Sequence, residues 1–386
     1  MDPYSLSYSL KIWTVPGTLC FTIGGSVGPR SPPTIVGTMK VRKLDLKYFK
    51  KHRDLALDFT DPETGLAQDL IVLVGHNGSG KSSVLQAIAA TLGTATSRLK
   101  QPTDLVWPGL EPALIDQNWG RFPASVSLEV QFSRSETAAV HECWRHLVEQ
   151  GKDLGEPAAN EVVQLTWQGD RVQAPSAAEL WQFKGRSYAV QLKQRPEDLA
   201  KTGTILWYDE QRTATSLTAQ DSETNLNLTI DLLRDRLSKW QGFNQRLESG
   251  QYQLKLGQRD LYEALKGYYA QVFPGHHFEG PVPRDGVDSI LSEPWFYLYD
   301  GQRQYELAEM SAGERAIFPI LMDFANWNVC NSVILIDELE LHLHPPLQQA
   351  LLRVLPKLGE NNQFIITTHS DYLANLVPES QIQRLG

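Results

Sequence analysis

Three short, almost wholly apolar runs stand out from a chain of otherwise mixed polarity: Leu70-Ile71-Val72-Leu73-Val74, Val333-Ile334-Leu335-Ile336 and Phe364-Ile365-Ile366. Each is too short for a buried helix and lacks polar alternation, so each predicts a strand of a sheet covered on both faces. Further strands are predicted at Ala124–Val130, Val162–Trp167, Ser187–Leu192 and Thr204–Tyr208, and a helix at His141–Glu149. From Leu228 to Leu247, Ile230, Leu233, Leu237 and Trp240 recur at helical spacing without sustained heptads. That predicts a short amphipathic helix, not a coiled-coil arm. Trp181, Phe183, Trp240, Phe243, Tyr268 and Tyr269 lie in the same region and are expected mainly in the core, base stacking being the alternative.

The three runs end in chemistry. The first leads into Gly75-His76-Asn77-Gly78-Ser79-Gly80-Lys81-Ser82, a G-x-x-x-x-G-K-S phosphate loop. Backbone N–H groups of such a loop form an anion nest, and the helix starting near Lys81 adds its positive end. Lys81 is expected on the β- and γ-phosphates of ATP, Ser82 on Mg²⁺, and Ser83 beside them. The second run ends in Asp337-Glu338, a Walker B pair: Asp337 would support the Mg²⁺ shell, and Glu338 would polarise the attacking water. The third continues into Thr367-Thr368-His369-Ser370, where His369 could sense the γ-phosphate. A solvated acidic turn and a structural histidine are the plainer alternatives. Just before the second run stands Glu309-Met310-Ser311-Ala312-Gly313-Glu314-Arg315-Ala316, in which Ser311 and Glu314 also read as a capping box.

That last segment resembles the ABC signature, with Glu314 where transporters usually carry glutamine. Taken with the motifs around it, most of residues 39–386 is similar to ABC-type ATPases of the SMC, RecF and overcoming-lysogenization-defect (OLD) group. The resemblance implies an α/β fold, a P-loop NTPase of ABC-ATPase head type with an antiparallel β-subdomain and a mixed, partly helical insertion at 133–300. It also implies a homodimer, with ATP sandwiched between one P-loop and the opposite signature residues Ser311, Gly313 and Glu314. Met39–Phe49 is similar to the first strand of these heads. Asp337–Pro345 resembles their "DEPE…LHP" stretch, with Leu339 replacing the usual proline. Ser125 stands near the expected Q-loop position, but no Q-loop residue is assigned. Arg212 resembles an arginine that follows the equivalent strand in OLD-like ATPases.

Composition narrows the setting. Cys20, Cys143 and Cys330 are scattered, which suggests a reducing compartment and no zinc site. No apolar run is long enough to cross a bilayer and no signal peptide precedes the head, so a cytoplasmic protein without membrane contact is expected. The net charge of −9 argues against non-specific nucleic-acid coating. One basic cluster, Lys40, Arg42, Lys43, Lys47, Lys50, Lys51, His52 and Arg53, reads as a charge-protected edge hairpin, with nucleotide or nucleic-acid phosphate contact as the alternative. Residues 1–38, rich in Pro and Gly, are expected to be a poorly ordered extension.

Only 17 residues follow His369, so no C-terminal Toprim nuclease is expected, and no HNH-like or D…ExK pattern occurs in the insertion. This layout resembles ATPase subunits of Septu-type antiphage systems, implying a separate nuclease or toxin as effector. A RecF-like repair ATPase acting directly on nucleic acid is the alternative. A transporter subunit fits worse, given the long insertion and the unassigned Q-loop.

Overall fold

The computed structural model describes residues 39–120, 122–192, 199–210, 230–255, 258–284 and 294–386; the extension 1–38, Arg212 and Leu228 lie outside them. The three apolar runs form adjacent strands of one parallel sheet. They are β3 (Leu70–Gly75), β11 (Val333–Ile336) and β12 (Gln363–Thr368), flanked by β7 (Ile205–Tyr208) and β13 (Ile382–Leu385) in the order β13-β3-β12-β11-β7.

Their continuous hydrophobicity has a direct cause. Along β3, Leu70, Val72 and Val74 enter one core while Ile71 and Leu73 enter another, and β11 divides in the same way, Ile334 and Ile336 against Val333 and Leu335. A strand buried on both faces has no solvent-facing position, and a polar residue there needs a hydrogen-bond partner inside.

One face is covered by α1 (Lys81–Ala95) and by an antiparallel sheet of order β2-β1-β4-β5-β6. Its strands are β1 (Lys40–Phe49), β2 (His52–Asp58), β4 (Ser125–Gln131), β5 (Val162–Gln168) and β6 (Arg171–Gln173). The charged β1–β2 hairpin meets one edge of this sheet through β2, while β1 lies inside it between β2 and β4. Its charges are also divided. Lys40 pairs with Asp69 at 2.5 Å, Arg42 with Glu129 at 2.9 Å and Lys43 with Asp58 at 3.7 Å, whereas Lys50 and Lys51 turn towards the phosphate loop.

The opposite face packs on α5 (Ile230–Glu248), α6 (Leu261–Val272), α7 (Ala312–Trp327), α8 (Pro345–Val354) and the short α9 (Asp371–Ala374). A small antiparallel sheet of β8 (His277–Val282), β9 (Trp295–Tyr299) and β10 (Gln304–Glu306) shares that core through Phe278, Phe296, Leu298 and Tyr305. The span 133–300 thus contributes β5, β6 and β7 to the two large sheets and α5, α6, β8 and β9 to this face.

The remaining helices are α2 (Arg134–Glu149), α3 (Ala177–Gln182) and α4 (Gly185–Gln191). The last corrects the strand expected at Ser187–Leu192. Helix α4 buries Tyr188 and Ala189 against Val140, Cys143 and Leu147 of α2. A Cβ at Gly185 would stand 2.4 Å from Val140 Cγ2, so glycine permits the close approach. Packing of a helical face here outweighs the local strand pattern. Of the aromatics in this region, Phe183 and Tyr269 are buried, and Trp240 and Tyr268 pack partly buried on the larger core.

Gln363 joins the two large sheets. Its buried amide donates to Val41 O (2.9 Å) and Gln68 O (3.0 Å) and accepts from Val41 N–H (2.7 Å). Gln363→Leu keeps the volume but strands three buried backbone groups, and is expected to cost about 2–4 kcal/mol in chemical denaturation; a loss within about 0.5 kcal/mol would contradict this. Glu136 is buried, with Oε1 accepting from Gly203 N–H at 2.7 Å and Oε2 unbonded. Burial raises its carboxyl to about 8, against weaker opposition from the backbone N–H groups of Gly203 and Met39. The folded chain therefore holds a proton that the unfolded chain has released, and stability falls as pH rises from about 4.5 towards 8. Unfolding measured from pH 6 to 8 should show Glu136→Gln removing a slope of up to about 1.4 kcal/mol per pH unit relative to wild type.

Candidate functional site

Burial of the parallel sheet aligns the C-terminal ends of β3, β11 and β12, and the candidate site forms there. The chain leaves β3 at Gly75, turns through His76 to Ser79, and enters α1 at Gly80, where a φ of 95° disfavours any side chain and a Cβ would stand 2.3 Å from His52 Nε2. Lys81 Nζ donates to the carbonyls of Gly75 (2.8 Å) and His76 (3.1 Å), which holds the ammonium inside the loop. Ser82 Oγ donates to Asp337 Oδ1 at 3.1 Å, and Thr367 Oγ1 donates to the same oxygen at 2.5 Å. Phosphate loop, Walker B carboxylate and third strand are thereby linked through one atom.

Beyond Asp337 the chain turns sharply. Glu338 takes a φ of 47°, a left-handed conformation unusual for this residue type, and its N–H donates to Thr367 Oγ1 at 2.7 Å. Leu339, where the family usually has proline, is buried and donates its N–H to Thr367 O at 3.0 Å. Proline could not supply that bond. Burial, then the charges of Asp337 and Glu340, raise the Glu338 carboxyl above its ordinary value. His369 is half-exposed. Its Nδ1 lies 2.8 Å from Glu340 Oε1, which also accepts the His369 N–H at 2.7 Å. Glu340 orients the ring; it lies within the DEPE-like stretch, where the motifs give it no role.

A cleft of about 460 Å³ lies over the loop, lined by Asn77, Gly78, Gly80, Lys81, Ser82, Ser83 and Glu338. Lys50, Lys51 and Gln117 also line it. Lys51 donates to Gly78 O at 2.5 Å, and Lys50 to Gln86 Oε1 and Gly109 O, both at 2.7 Å. Burial lowers the Lys50 ammonium, with Asp337 opposing. Ser125 begins β4, paired with Lys47 and Gln168, whereas Gln117 lines the cleft. It sits in a 3₁₀ turn between predicted elements, where periodicity carries no signal.

The signature residues take different places. Ser311 is the exposed N-cap of α7, its Oγ accepting from Glu314 N–H at 3.2 Å while Glu314 Oε2 accepts from Ser311 N–H at 2.8 Å. Gly313 is buried, and a Cβ there would approach Leu347 Cδ2 to 2.8 Å, so its smallness serves packing. Glu314 is buried, and its carboxylate accepts from the hydroxyls of Tyr269 (2.7 Å) and Tyr305. Ser311 and Glu314 line a second cleft of about 400 Å³ with His276, Arg303, Tyr305 and Glu309.

Among the described residues no helix is long and apolar enough to cross a membrane. The chain is 25% identical to the Retron Ec83 probable ATPase of Escherichia coli, over 90% of this chain and 71% of that protein. Against the Retron Vc95 probable ATPase of Vibrio cholerae the identity is 20%, over 92% and 75%. Part of it, 25% of the chain, is 32% identical to 24% of the DNA replication and repair protein RecF of Lactococcus lactis. The Smc head solved bound to the C-winged helix domain of ScpA superposes with a TM-score of 0.50 at 16% identity, over 90% of this chain and 97% of that one, which shows a shared fold. Residues 182–375 match the family described as "AAA domain, putative AbiEii toxin, Type IV TA system", and residues 43–265 match one described as "AAA domain", each half of the chain or more. The chain belongs to the AAA-domain family of P-loop ATPases and carries an SMC- and RecF-like head.

Proposed function

We propose that this ATPase is a switch closed by ATP between two protomers, and that it controls a separate effector in bacterial antiphage defence. The observation that carries the dimer is the division of the site. Lys81, Ser82 and Glu338 line one cleft, while the exposed Ser311, at the positive end of the 16-residue α7, lines another. A hydroxyl and free N–H groups at a helix start suit a phosphate, and a second protomer is what would bring one there. ATP would then be adhesive as well as fuel. The defence role rests on the retron ATPase relatives and on a family description that names a toxin–antitoxin system.

Within the cleft, Lys81 would exchange its two loop carbonyls for the β- and γ-phosphates, and the loop N–H groups from His76 to Ser83 would cradle them. Mg²⁺ fits the donor set: a Ser82 hydroxyl and an Asp337 carboxylate side by side are hard oxygen ligands, and the ion would neutralise phosphate charge. Glu338, lining the cleft, would accept the proton of the attacking water. His369, held by Glu340, would contact the γ-phosphate, and Ser311 would close the site from the other protomer.

Lys81→Ala should weaken ATP binding at least about tenfold by calorimetry, since it removes a charge-assisted phosphate contact. Glu338→Gln should bind ATP, hydrolyse it at least about 100-fold more slowly, and run as a stable dimer by native mass; a monomer with ATP bound would contradict the shared site. Purification with the neighbouring gene product tests the output: a bound nuclease or toxin supports effector control, and strong stimulation by DNA favours direct action on nucleic acid.

A further inference from the structure

The Glu314 carboxylate is shared between the signature turn and the elements packed behind it. Oε2 accepts the Ser311 N–H at 2.8 Å. Oε1 accepts two hydroxyls, Tyr269 from α6 at 2.7 Å and Tyr305 from β10, which also lie 3.2 Å from each other. His276 Nδ1 is 3.5 Å from the same oxygen. Burial alone would raise this carboxyl, but the hydrogen bonds from Tyr305, Tyr269 and Ser311 outweigh it and hold it below its ordinary value. Both tyrosine hydroxyls are pushed well up, chiefly by burial, and remain donors throughout the working pH range.

The turn before Ser311 is anchored separately. Glu306 takes the Arg234 guanidinium of α5 in a two-pronged pair at 2.8 and 2.7 Å, and Glu309 caps back onto the Glu306 N–H at 3.0 Å. With one end of the turn tied down, the direction of the Glu314 carboxylate decides where the Ser311 N–H and hydroxyl point. Two hydroxyls fix that direction; the Tyr269 ring sits against Phe273, Phe278 and Phe318, and Tyr305 is buried in the same core. A shift of α6 or of the β8–β10 sheet would therefore reach Ser311 through a charge-assisted contact and not through loose packing.

We infer that Tyr269 and Tyr305 are positioning residues which, through Glu314, set the signature serine for the nucleotide of a second protomer. The inference rests on the shared-site reading above. It makes the α6 and β8–β10 region the place from which ATP closure is controlled, although neither tyrosine touches nucleotide.

Tyr269→Phe and Tyr305→Phe, singly and together, remove the hydroxyls and keep the rings. In wild-type background the double variant should bind ATP with unchanged affinity, because the phosphate loop is untouched, while kcat falls on the order of tenfold. In Glu338→Gln background, the protein concentration at half-dimerisation with ATP should rise on the order of tenfold, while the fold, read by circular dichroism, is retained. Glu314→Gln, which cannot accept from Ser311 N–H with its amide nitrogen, should be at least as weak. If Glu338→Gln alone stays monomeric with ATP, the shared site itself fails. If it dimerises and the double Phe variant dimerises at the same concentration with the same kcat, the positioning role alone is overturned. A double variant losing ATP affinity in step with kcat would also overturn it, since that is what general destabilisation produces.

Discussion

The site depends on one buried carboxylate. Asp337 Oδ1 accepts from Thr367 at 2.5 Å and from Ser82 at 3.1 Å, joining elements 255 positions apart in sequence. The geometry is available only because β3, β12 and β11 are neighbours in a sheet buried on both faces, so their ends cannot slide independently. Gln363 carries the same constraint to the antiparallel sheet, whose β1–β2 turn delivers Lys50 and Lys51 to the cleft. Sheet order, hydrophobic pattern and phosphate chemistry are thus one requirement expressed at three levels.

Departures from the family pattern become intelligible in this frame. Leu339 replaces a proline and gains an N–H that braces the strained Glu338 turn against Thr367 O. Glu314 replaces the transporter glutamine and accepts two tyrosine hydroxyls on one oxygen and the Ser311 N–H on the other, a second acceptor that an amide nitrogen could not supply. Both changes place charge or hydrogen bonding where rigidity of the catalytic turns is at stake.

Much of the fold and of the phosphate half of the site was legible in the chain because its signals are local. Continuous apolar runs mark doubly covered strands, and a glycine-rich loop followed by Lys81 and Ser82 marks a phosphate cradle whatever surrounds it. What was not legible depends on distant partners. The Ser187–Leu192 stretch alternates like a strand, yet becomes helical because α2 offers Val140 and Cys143 to its Tyr188 and Ala189. Gln117 reaches the cleft from a turn that no period marks, and Glu340, though inside the DEPE-like stretch, shows its role only through the His369 ring it holds. The inward turn of Glu314 needed Tyr269 and Tyr305, 45 and 9 positions away, to be seen.

The central claim is that a complete catalytic site needs Lys81 of one protomer and Ser311 of another. Mixing Lys81→Ala protein with Ser311→Arg protein tests it most directly, because each homodimer has two defective sites whereas a mixed dimer has one site with both residues intact. The account predicts two inactive parents and recovery in the mixture to about a quarter of the wild-type rate, if exchange is statistical and one site of each mixed dimer works. Mixed dimers demonstrated by native mass but without ATPase activity would contradict it.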